Sequence, residues 1–198
     1  MPAVVRADLV LDRGQVGIIR GPNGAGKSTL LRIVATALSP TYGGGRVLGY
    51  DLVRERVAIR RRTELLGHRT RLYEDLTAEE NLRFACALFG IEPGGVHEAL
   101  ARIGLLDASA ERVRGFSQGM RQRLALARVV VRKPELLLLD EPYAGLDEEA
   151  KDLVDVLIGE TVAGDGAVIV ATHDITRGAF ADRAFSMESG RLREGSVA

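Results

Sequence analysis

A chain of 198 residues suits one compact α/β domain, or a core with a small insertion, and can bury a real hydrophobic core, which excludes a multidomain machine. Lys and Arg number 27 against 27 for Asp and Glu, so the net charge is zero and no overall field favours nucleic acid or an anionic membrane surface. The single cysteine, Cys86, cannot form an internal disulfide and sits in the apolar stretch FACALF as a small core residue, while no apolar run approaches the ~18–20 residues that span a bilayer and the start MPAVVRADLVLDRG lacks a secretory stretch, so a reducing, cytoplasmic location is expected.

In chain order, an apolar stretch at 9–11, a turn at 12–14 and the run 16–19 read as strand, turn, strand, leading into a glycine-rich loop and a helix over 27–37. Gly43, Gly44 and Gly45 break the chain before a short strand at 46–50, a charged helix at 53–62 and a brief strand at 65–66. Arg60, Arg61 and Arg62 read as a solvated helix face. Thr77 and Glu80 have the spacing of a capping box, so a helix is predicted from Ala78 to just before Gly90, followed by another over 96–103. Leu124, Leu126, Ala127 and Val130 recur at helical spacing within 118–132, placing one face against a core. The runs 136–139 and 167–170 are uniformly apolar and separated by a helical segment at 148–161, the pattern of parallel strands buried on both faces. A helix near 175–181 and a hairpin over 183–193 turning at Ser189 and Gly190 end the chain. The expected architecture is a parallel α/β core interrupted by a helical insertion.

Gly21-Pro22-Asn23-Gly24-Ala25-Gly26-Lys27-Ser28 fits G-x-x-x-x-G-K-[ST] between a predicted strand and a predicted helix, the context that the motif requires. Glycines let successive backbone N–H groups turn inward around phosphate oxygens, at a helix N-terminus whose dipole favours negative charge. ATP is therefore expected on residues 21–29, from Gly21 to Thr29, with Lys27 at its β- and γ-phosphates and Ser28 on Mg²⁺. The bland alternative is a glycine turn without a ligand. The run ending in Asp140 and Glu141 puts two adjacent carboxylates at the carboxyl edge of the sheet, where ligands bind in open α/β folds. Asp140 can hold the Mg²⁺ shell and Glu141 can polarise the attacking water; a merely solvated strand end is the alternative. His173, after another apolar strand, can stand near the γ-phosphate or be an ordinary polar residue.

Together these residues resemble the ATP-binding cassette (ABC) family, whose motifs occur in order over nearly the whole chain. Phe116-Ser117-Gln118-Gly119-Met120-Arg121-Gln122 is similar to the family signature, usually Leu-Ser-Gly-Gly-Gln. Tyr143-Ala144-Gly145-Leu146-Asp147 resembles the loop after the catalytic glutamate, and Thr172-His173-Asp174 the switch histidine. The resemblance implies a P-loop core of ABC type with a short N-terminal antiparallel β portion. It also implies a helical subdomain at 73–125, inserted between core segments 1–72 and 126–198 of a single domain.

By the same resemblance, two cassettes dimerise head to tail, as a homodimer or a cassette heterodimer. Ser117, Gln118, Gly119 and Met120 of one copy then cap the nucleotide of the other, and Asp147 lies in the dimer loop. Glu141, His173 and His68 are the implied catalytic group, and Ser28 and Asp140 the metal ligands. The implied partner is a membrane-spanning permease, with the chain peripheral at the cytoplasmic face and no nucleic acid involved.

Two departures from the family stand out: His68 occupies the place of a usual glutamine, and no aromatic precedes the phosphate loop to stack on adenine. Imidazole is a poorer Mg²⁺ ligand than an amide oxygen, so His68 can instead bond the attacking water or couple the insertion to the core.

Leu66-Gly67-His68, the segment from Leu72 to Leu82 and Asp140-Glu141-Pro142-Tyr143 are most similar to the ATP-binding subunit of haem exporters of cytochrome c maturation, and in part to antibiotic and polysaccharide exporters. Tyr73, Phe84 and Phe89 read as core, or as the lining of a groove for a permease helix; His97 reads as an ordinary surface residue. Competing classes are a soluble ABC ATPase of translation or repair and a nucleotide sensor without turnover. A single cassette without a heptad run opposes the first, and retention of Lys27, Ser28, Asp140, Glu141 and His173 the second.

Overall fold

The computed structural model describes residues 3–67, 70–173 and 181–195. Five parallel strands and one antiparallel strand form its main sheet: β1 (Val16–Arg20), β4 (Thr63–Leu66), β5 (Leu136–Asp140), β6 (Ala167–Thr172), β7 (Arg183–Glu188) and β8 (Arg191–Gly195), in the order β4-β5-β6-β1-β7-β8. Every residue of β5 and β6 is buried, which is why both read as unbroken apolar runs. Each fully buried leucine of that run contributes about 1.5–3 kcal/mol relative to exposure.

The sheet corrects the reading of the opening as strand, turn, strand. Residues 9–11 form no strand, because β1 already pairs with β6 on one side and β7 on the other, leaving no free edge beside it. Leu9 and Leu11 pack instead on the hydrophobic core formed by the sheet and α1 (Lys27–Val34). The small antiparallel sheet is β2 (Arg46–Val47) with β3 (Tyr50–Asp51), closed by Leu48 and Gly49, both at positive φ, as a two-residue hairpin requires. The short helix α2 (Arg56–Arg62) leads from this hairpin into β4. Its basic end is more than a solvated face: Arg60 Nε donates to Thr36 Oγ1, and Arg62 pairs with Glu135 and stacks over Tyr50.

The chain groups into two compact units, one of Met1–Gly67, Pro134–Pro142 and Ile158–Ala198, the other of His68–Lys133 and Tyr143–Leu157. The second unit is helical, with α3 (Ala78–Phe89), α4 (Val96–Arg102) and α5 (Gln118–Arg132). The capping box at the start of α3 is closed: Glu80 N donates to Thr77 Oγ1, and Thr77 N to Glu80 Oε2. Gly90, left-handed, ends the helix. Leu82 and Cys86 of α3, Val96 and Leu100 of α4, and Leu124 of α5 form the core of this unit. Tyr73 and Phe84 do not join it: both are exposed and meet edge to face, with ring centroids 4.8 Å apart. Phe89 lies under the Arg132 guanidinium, and His97 is exposed beside Glu79. The long helix α6 (Glu148–Ala163) leads back to β6. Most of the helix expected near 175–181 lies outside the described residues.

Candidate functional site

Strand register gathers the site. Asp140 pairs with Ala171 and Arg20 with Thr172, so the phosphate-loop motif, the two carboxylates and His173 all leave the sheet at its carboxyl edge. Two glycines of the loop are there for space. A Cβ on Gly21 would lie 2.1 Å from the Met187 carbonyl oxygen, and one on Gly26 2.2 Å from that of Ala3, so no larger residue fits either backbone. Gly26 also holds φ 109° immediately before α1, turning the loop into the helix N-terminus. Pro22, Asn23 and Gly24 are exposed at the tip, Ala25 is buried, and Thr29 lies in the first turn of α1.

Lys27 is buried, its Nζ donating to the carbonyls of Gly21 at 2.6 Å and Pro22 at 3.3 Å and standing 3.5 Å from Glu141 Oε1. Ser28 Oγ donates to Asp140 Oδ1 at 3.0 Å. Asp140 is buried at the strand end. Two hard oxygen donors at this spacing fit Mg²⁺, a cation that takes few protein oxygens and keeps several waters.

Glu141 turns the chain out of β5 with φ 53°, uncommon for a residue with a side chain, while its N–H still bonds Ala171 O. Its Oε2 accepts from Thr172 Oγ1 at 3.1 Å, from His173 N at 3.3 Å and from His173 Nδ1 at 2.9 Å. Burial pushes the Glu141 carboxyl up, but the bonds from His173 and Thr172 outweigh it and hold the group below the usual carboxylate range. Bonding to that carboxylate puts the imidazole proton on Nδ1. Glu141 Oε1 is buried and, among the described residues, accepts no hydrogen bond.

In the helical unit, Ser117 caps α5, its Oγ accepting from Met120 N at 3.2 Å. Gln118 opens the helix, Gly119 follows it, and Met120 packs on the core of this unit. Asp147 does two things within its own chain. Its Oδ1 accepts from Ala150 N at the start of α6, and its Oδ2 from Arg123 at 2.8 Å, which together hold its carboxyl below the usual range. His68 and Asp174 lie outside the described residues. Thr172 and Arg123 were not among the site residues read from the sequence; Thr172 precedes the histidine already singled out, but Arg123 carries no local signal.

A model of the ABC transporter family matches residues 4–144. The chain belongs to the ABC transporter family. Among curated relatives of this ABC ATP-binding domain, the ABC transporter ATP-binding protein NatA of Bacillus subtilis is 36% identical over 86% of this chain and 72% of its own length. The cytochrome c biogenesis ATP-binding export protein CcmA of Nitrosomonas europaea is 39% identical over 81% of this chain and 76% of its own. Daunorubicin resistance ATP-binding protein DrrA3 of Streptomyces coeruleorubidus is 38% identical over 93% of this chain, which spans only 60% of that relative. Two solved structures share the whole fold. An ATP-binding subunit of an ABC transporter superposes with TM-score 0.90 at 27% identity, covering 98% of this chain and 83% of that one. A dimeric post-hydrolysis ATP-binding cassette bound to ADP and Pi gives 0.89 at 26%, covering 99% and 91%. Among the described residues no helix is long and apolar enough to cross a membrane.

Proposed function

We propose that two copies of this chain, or this chain and a related cassette, bind Mg-ATP and hydrolyse it to drive export by a separate membrane-spanning subunit. The observation that carries the reading is the convergence of Lys27, Ser28, Asp140, Glu141 and His173 on one sheet edge beside a phosphate-loop motif. Backbone N–H groups of the loop and Lys27 bind the phosphates, and Ser28 and Asp140 hold Mg²⁺. When bound, the cation neutralises charge on the β- and γ-phosphates. Glu141 Oε2 is held by Thr172 and His173, which leaves Oε1 to accept from a water and aim its oxygen at the γ-phosphorus. His173 fixes the carboxylate and keeps it ionised. Ser117 and Gly119 of the second cassette supply a helix N-terminus over the γ-phosphate. The chain works at the cytoplasmic face, peripheral to its permease, with His68 assigned to the water or to coupling.

Similarity to the CcmA proteins supports haem as the cargo, the reading that we favour. The DrrA relatives match more of the chain, 93% and 96%, and favour a drug exporter as the second reading. The test is ATP turnover by the purified chain beside Glu141→Gln, with oligomer size recorded in Mg-ATP. Turnover in the parent, with a silent, trapped dimer in the variant, is expected; full turnover in the variant would overturn the role of Glu141. With the permease present, stimulation by haem rather than by daunorubicin separates the two cargoes.

A further inference from the structure

We infer that Gly67 is a positioning residue for Asp140, its missing side chain letting the carboxylate stand where the cation of the ATP site needs it. This rests on the Mg-ATP reading above. Gly67 directly follows β4, whose last pair with β5 is Leu66 and Leu139, so Gly67 and Asp140 are the next residues on each strand. A Cβ at position 67 would lie 3.2 Å from Asp140 Cβ, 3.6 Å from Oδ2 and 3.8 Å from Cγ, and these three nearest atoms all belong to Asp140.

The backbone at Gly67 is not left-handed, so conformation does not demand glycine there. Nor can Asp140 simply retreat. It pairs with Ala171 of β6 on its far side, and its Oδ1 is tied to Ser28 Oγ at 3.0 Å. An added methyl group therefore presses on Asp140 and moves its carboxylate by a few tenths of an ångström against the Ser28 bond, while none of the three atoms nearest the added group belongs to the phosphate loop. Mg²⁺ demands near-ideal octahedral geometry at about 2.0–2.1 Å, whereas Ca²⁺ accepts irregular shells at about 2.3–2.6 Å, so Mg²⁺ should feel the shift more.

The experiment titrates a fluorescent ATP analogue onto the full chain, as parent, Gly67→Ala and Gly67→Ser, first in EDTA and then with rising Mg²⁺ or Ca²⁺. Affinity in EDTA should stay within about twofold of the parent, while the Mg²⁺ midpoint rises roughly tenfold and the Ca²⁺ midpoint moves less than about threefold. An unchanged Mg²⁺ midpoint in both variants would overturn the proposal. So would an equal loss in EDTA, which would make Gly67 a general packing residue. A parent whose nucleotide binding ignores Mg²⁺ would overturn the Mg-ATP reading and this inference with it.

Discussion

Lys27 and Glu141 face each other, Nζ 3.5 Å from Oε1, with both side chains largely out of water. The ammonium is thus held by one carboxylate and by the Gly21 and Pro22 carbonyls. A γ-phosphate entering the loop has to draw Lys27 away from that carboxylate. Glu141→Gln removes the competing charge, so its affinity for ATP in EDTA should exceed the parent's by about 2–10-fold, a contact as long as 3.5 Å being taken at the roughly 0.5–1.5 kcal/mol net of an ordinary hydrogen bond. Equilibrium titration decides it; equal or weaker binding by the variant would mean that the pair does not compete with nucleotide.

Gly26 and Gly24 both have positive φ, but their surroundings differ. A Cβ at 26 would strike Ala3 O and the Met187 side chain, while one at 24 meets nothing within 4 Å. Gly24→Ala therefore carries only the backbone cost, about 1–2 kcal/mol, and Gly26→Ala a collision besides. ATP affinity should fall far more in Gly26→Ala, and similar losses in the two variants would contradict the close approach of Ala3.

Asp147 carries a carboxyl depressed first by the Ala150 N–H and then by Arg123, with Lys151 adding to the field and Glu149 sharing Arg123. A depressed folded-state value means stabilisation that is present above the unfolded aspartate range and lost as pH falls through the folded value. Asp147→Asn keeps a good helix cap but loses the charge. Its Tm should lie below the parent's at pH 7, and the two should converge as the pH drops beneath the ordinary aspartate range. A constant gap across that range would exclude the Arg123 pair as its source.

Thr77 closes both halves of the capping box of α3. Thr77→Ala should destabilise the helical unit by about 1 kcal/mol, with a range of roughly 0.5–2. Urea unfolding monitored on that unit, or amide exchange in the first turn of α3, measures it. Unchanged exchange there would mean that the Glu111 and Ser109 carbonyls, which accept from Ala78 and Glu79, already hold the turn.

Features set by near neighbours in the chain were legible from the residues alone. The phosphate-loop glycines, the Thr77–Glu80 box, the apolar runs of β5 and β6 and the whole of α5 depend on local sterics, capping and periodicity, which act within a few residues. Tertiary structure decided the rest, because the deciding contacts join residues far apart in sequence. Residues 9–11 lack a strand since β6 and β7, from the far end of the chain, occupy both edges of β1. Tyr73 and Phe84 stay exposed because the core of α3, α4 and α5 closes on other faces. Ser28 meets Asp140 across 112 positions and Glu141 meets Thr172 across 31, and Gly67 has a reason to be glycine only once β4 lies beside β5. Local pattern names the groups that can do chemistry; strand order and register bring them within bonding distance.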